Sequence, residues 1–99
     1  MMPLTKILIV DDEPPIRVAC AKILSEQGST TEVAENGLVG LEKAKAQDFD
    51  LVLIDLKMPQ MDGMELLGHL NVLDPDLVKI VITGFATLDT AIEAVQKGA

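Results

Sequence analysis

"DLVLIDLKMPQMDG", residues 50–63, decides how this chain is read. Four apolar residues, Leu51 to Ile54, run straight into a carboxylate, Asp55, and the segment closes on Asp62-Gly63. A short continuous apolar run is the signature of a strand buried on both faces. "KILIVDDE", residues 6–13, repeats the pattern and ends on Asp11, Asp12 and Glu13. Two buried strands that both finish on carboxylates point to ends that meet and hold a metal ion beside one reactive carboxylate.

Working outward, apolar runs alternate with segments of helical period. "KILIV" (6–10) is the first strand. Pro14-Pro15 opens a helix, since proline at the first turn removes an N–H that has no partner anyway. Ile16, Ala19, Ile23 and Leu24 mark the apolar face of that helix, and Gly28 is its stop. "TTEVA" (30–34) is a second, weaker strand, followed by the turn "ENG". Leu38, Leu41 and Ala44 mark a second helix, "LVLI" (51–54) is the third strand, and Met64, Leu67 and Leu70 mark a third helix. "LVKIVIT" (77–83) is the fourth strand; Ala91, Ile92 and Val95 mark a fourth helix that ends at Gly98. Four βα units in succession predict an α/β fold, a doubly wound parallel sheet with helices on both faces and right-handed crossovers. In such sheets the ligand site lies outside the carboxyl ends of the strands, at the point where the strand order switches.

The totals agree with one small domain. The chain has 99 residues, 48% of them hydrophobic, and only two aromatics, so aliphatic residues and five Met must fill the core. Eight basic against 16 acidic residues leave a net charge of −8. That balance argues against non-specific binding to nucleic acid or to an anionic membrane. The apolar runs are too short to span a bilayer, and "MMPLTK" does not resemble a secretory signal. A single cysteine, Cys20, excludes an internal disulfide and agrees with a cytoplasmic location.

Parallel strands put Asp11, Asp12, Asp55 and the Thr83-Gly84 pair on one edge of the sheet. Like charges brought together repel, and a cation relieves the repulsion. Oxygen-only ligands with room for water and a phosphate describe a Mg²⁺ site. Zinc is not expected, because Cys20 and His69 sit on helices elsewhere. Beside such an ion, a carboxylate can act as a nucleophile toward phosphorus, and catalysis then needs positioning and charge neutralisation. A hydroxyl such as that of Thr83 can bond the new phosphoryl group and act as a local switch.

"ILIVDDEPPIR", "LVLIDLKMPQMDGMELL" and "KIVITGFA…AIEAVQKGA" resemble, in order and over the whole chain, the receiver domain of two-component response regulators. The resemblance implies a flavodoxin-like (CheY-like) sheet of order 2-1-3-4, with the family's fifth strand and fifth helix absent from residues 1–99. It implies that Asp55 accepts a phosphoryl group from a sensor histidine kinase. Mg²⁺ would be bound by Asp12, Asp55 and the backbone carbonyl of Lys57, with Asp11 helping through water, and Thr83 would contact the phosphoryl oxygens. The output domain, DNA-binding or ATPase-activator in type, would follow Ala99, without nucleic-acid contact by the receiver itself. Lys57 and Lys79 do not stand in for the lysine the family places after its fifth strand. The same shortening makes the fourth strand an edge, blunted only by Lys79, so self-association into a homo-oligomer is expected.

Plainer roles stand beside these. An Asp at a strand end is commonly a turn or helix cap, yet Asp55 comes with Asp11, Asp12 and the motif that follows it. Asp62-Gly63 reads as a turn and N-cap, Met58, Met61 and Met64 as core filler, Cys20 as buried filler, and His69 as a solvated helix residue. A phosphatase of the haloacid dehalogenase kind would need a second Asp where this chain has Lys57.

Overall fold

The computed structural model describes residues 5–55 and 61–82. Four parallel strands form one sheet: β1 (Lys6–Val10), β2 (Thr30–Ala34), β3 (Leu51–Asp55) and β4 (Val78–Ile82), in the order β2-β1-β3-β4. Three helices connect them: α1 (Pro14–Glu26), α2 (Gly37–Ala46) and α3 (Gly63–Leu73). The register runs Lys6 opposite Thr30 to Val10 opposite Ala34, Ile7 opposite Leu51 to Val10 opposite Ile54, and Leu51 opposite Val78 to Asp55 opposite Ile82. The chain steps from β1 outward to β2, then crosses back to β3 on the other side. The order therefore switches between β1 and β3, and their carboxyl ends lie side by side. The fourth-helix positions Ala91, Ile92 and Val95 lie outside the described residues.

Alternation along the strands sorts the core. Leu8, Val10, Val52 and Ile54 are fully buried on one face, under Leu66, Leu67 and Leu70 of α3, with Met61, Met64, Phe49 and Leu77 closing the cluster. Ile7 and Ile9 are buried on the opposite face, where α1 lies over β1 and β2. The two methionines are core residues, as expected of a chain so poor in aromatics.

Helix ends are fixed by local chemistry. Pro14 and Pro15 occupy the first turn of α1. At its far end Gly28 adopts φ 92°, the amide of Gly28 donates to Ser25 O (3.0 Å) and that of Ser29 to Leu24 O (3.1 Å). That pair of bonds is a Schellman closure, and its left-handed residue is the position that glycine fills without strain. Asn36 caps α2 by accepting from Val39 N, and Asp62 caps α3 by accepting from Glu65 N, both at 2.8 Å.

Three details depart from the sequence reading. In α1 the half-buried row is Arg17, Cys20, Ala21 and Leu24, whereas Ile16 and Ile23 are 38% and 58% exposed. The helix turns that row toward the sheet, and the two isoleucines fall one step around its circumference. Cys20 is accordingly half-buried rather than buried. In α2 the inward row begins with Gly37 and Gly40 and continues through Leu41 and Ala44, while Leu38 is largely exposed. Lys79, expected to blunt an edge, is instead buried: it pairs with Val52 in the register, and its Nζ donates to the Leu77 carbonyl at 2.7 Å. On the outer strand β2, Lys43 Nζ donates to Val33 O at 2.7 Å.

Candidate phosphoacceptor and metal site

The strand ends carry their carboxylates to one point. The amide of Asp11 donates to Ala34 O at 3.1 Å, which extends the β1–β2 ladder one residue past Val10. Asp11 is thereby buried, at 4% exposure, and its Oδ1 accepts from the amide of Glu13 at 2.9 Å. The chain turns there into α1, and Arg17 on the first turn of that helix donates from its guanidinium back to the Asp11 carbonyl at 2.8 Å. Both the main chain and the side chain of Asp11 are thus held. Asp12, the next residue, is exposed, as a residue beside a solvent-facing site must be. Asp55 ends β3, half-buried, opposite Ile82.

One carboxylate oxygen from each of Asp11, Asp12 and Asp55 can be chosen so that all lie within 4.8 Å of one another. The three differ in exposure from buried to open, so the cluster is reachable from solvent on the Asp12 side. An all-oxygen donor set of this density, contributed by rigid strand ends, fits a hard divalent cation of the Mg²⁺ or Ca²⁺ type. It does not offer the thiolate or imidazole donors that favour zinc. Of the residues expected at the site, Lys57 and Thr83 lie outside the described residues, as does Met58. His69 is exposed on α3, and Cys20 sits on α1.

The sequence reading did not single out Arg17, whose bond to the Asp11 carbonyl ties α1 to the acidic turn. Its place five residues after Asp12, one helical turn into α1, is the only signal the sequence carried.

The sequence and the fold have counterparts in known proteins. A family model described as the response regulator receiver domain matches residues 7–99. The sporulation initiation phosphotransferase F of Bacillus subtilis is 39% identical over 95% of this chain and 76% of its own. The transcriptional regulatory protein ZraR of Klebsiella oxytoca is 38% identical over 94% of this chain. The match spans only 21% of ZraR, so the chain corresponds to about a fifth of that regulator's length. A solved structure of a response regulator protein from Burkholderia pseudomallei, with a phosphorylated aspartic acid, calcium ion and citrate, superposes with a TM-score of 0.91 at 32% identity, over 96% of this chain and 56% of that one. The chain belongs to the response regulator receiver domain family.

Proposed function

We propose that residues 1–99 are the receiver portion of a response regulator and that Asp55 is its phosphoacceptor, working with a Mg²⁺ ion held by Asp11, Asp12 and Asp55. The convergence of those three carboxylates within 4.8 Å at the strand ends carries the reading. The Burkholderia relative, with its phosphorylated aspartic acid and calcium ion, supports it.

The chemistry follows from the positions. A carboxylate oxygen of Asp55 attacks the phosphorus of a phosphohistidine on a sensor kinase. An O–P bond forms, the N–P bond breaks, and the imidazole nitrogen leaves with the bonding pair. Bound Mg²⁺ supplies neutralising charge for the phosphoryl oxygens. Asp11, pinned by Glu13 N and by the β1–β2 ladder, presents its charge from a fixed backbone. Asp12, open to solvent, gives the site its entry side. The backbone carbonyl of Lys57 is assigned as a further metal ligand and Thr83 as the phosphoryl contact, on the strength of the family pattern. Phosphorylation would alter the output of a domain beyond Ala99, as the greater length of the ZraR relative supports. That output would be transcriptional, in the cytoplasm. Among the described residues no helix is long and apolar enough to cross a membrane.

The test is intact-mass analysis after incubation with acetyl phosphate and Mg²⁺. One added phosphoryl group is expected on the wild-type protein and none on Asp55→Asn. Undiminished labelling of that variant would remove the assignment.

A further inference from the structure

We infer that Arg17 is a positioning residue for the acidic site: its guanidinium orients the peptide group from which Asp12 projects. The inference rests on the reading of Asp11, Asp12 and Asp55 given above. The three carboxylates are not held alike. Asp11 is buried at the end of the β1–β2 ladder, and Asp55 is the last residue of β3. Asp12 is exposed and lies beyond β1, outside both the core and the ladder.

Two side-chain hydrogen bonds hold the turn around Asp12 instead. The direction of a side chain is set by the two planar peptide groups on either side of its Cα. The group before Asp12 carries the Asp11 carbonyl, which accepts from the Arg17 guanidinium at 2.8 Å. The group after it carries the Glu13 amide, which donates to Asp11 Oδ1 at 2.9 Å. Each bond restrains the rotation of one plane, and together they restrict φ and ψ of Asp12. Arg17 is placed for this task. It is the fourth residue of α1, and helical side chains lean back toward the N-terminus. Its own amide donates to the Glu13 carbonyl at 3.1 Å, so one residue grips the acidic turn from both sides of Asp12.

Position and charge predict opposite effects on the metal. A guanidinium beside a carboxylate cluster repels a divalent cation, so a purely electrostatic role means that its removal tightens Mg²⁺ binding. A purely structural tie between α1 and the turn lowers Tm and leaves the affinity of the folded protein unchanged. A positioning role weakens binding, because an Asp12 released from its peptide restraint must be ordered again each time the ion binds.

The experiment compares full-length wild type with Arg17→Met, a substitution that keeps side-chain length and helix propensity and removes the donor. Mg²⁺ affinity is measured by calorimetry at a temperature where circular dichroism shows both proteins folded. The variant is expected to bind Mg²⁺ about tenfold more weakly, as loss of a ligand-orienting neighbour commonly does. Unchanged or tighter binding would overturn the inference while leaving the metal site in place. Absence of Mg²⁺ binding by the wild type would remove the site and the inference with it. NMR of the metal-free wild type supplies a measurement that does not depend on the variant folding. The Asp12 amide should show the order parameter of rigid backbone, about 0.85, and the Arg17 guanidinium should be restrained in its rotation. A mobile Asp12 amide or a freely rotating guanidinium would overturn the inference.

Discussion

Asp11 donates its amide to the Ala34 carbonyl and accepts the Glu13 amide on its own carboxylate. One residue therefore ends the β1–β2 ladder, turns the chain toward α1 and supplies a buried negative charge. Charge and turn can be separated by substitution. Asp11→Asn keeps the acceptor and should stay close to wild type in stability. Asp11→Ala leaves the Glu13 amide without its partner and should cost about 1–2 kcal/mol. Urea unfolding of the two variants checks this, and equal midpoints would show that the side-chain bond contributes nothing.

A cation that binds only the folded state stabilises it by mass action. The Tm should therefore be higher in Mg²⁺ than in EDTA. Asp12 is the most exposed of the three carboxylates and forms no part of the core, so Asp12→Ala should fold normally and lose the Mg²⁺-dependent increment. An undiminished increment would place the ion elsewhere.

The packing of α3 makes a sharper stability contrast than its sequence suggests. Leu67 is fully buried under the sheet, whereas Val72, five residues on, is 84% exposed. Leu67→Ala should cost about 2–5 kcal/mol through lost contacts and the cavity left behind. Val72→Ala should change stability by less than about 0.5 kcal/mol. Comparable effects at the two positions would contradict the face assigned to the helix.

Where residue chemistry and local period agree, the sequence was readable. The continuous runs "KILIV" and "LVLI" mark strands because both faces of a parallel sheet are covered, and the carboxylates that end them come together because parallel strands finish at one edge. The order of the strands came from family resemblance, since periodicity carries no information about which strands are neighbours. The inward faces of α1 and α2 were less readable. Counting apolar residues favours Ile16, Ile23 and Leu38, but the half-buried row of α1 runs through Cys20 and Ala21, and in α2 the close neighbours belong to Gly40, against Val10 and Ala34 of the sheet, and to Gly37, against Met61. Small residues win there because they let the backbones approach, and they add nothing to a hydrophobic pattern. Lys79 misled in the opposite sense: its long stem lies buried beside the core, and its charge finds a carbonyl two residues back.

The central claim is that Asp55, and neither of its acidic neighbours, takes the phosphoryl group. An acyl phosphate is reduced by borohydride to an alcohol, which turns a phosphorylated aspartate into homoserine. The protein should be incubated with acetyl phosphate and Mg²⁺, treated with borohydride, digested and mapped by mass spectrometry. The account predicts homoserine at position 55 alone, dependent on Mg²⁺. Homoserine at position 11 or 12, or a phosphate on a hydroxyl side chain with Asp55 intact, would contradict it.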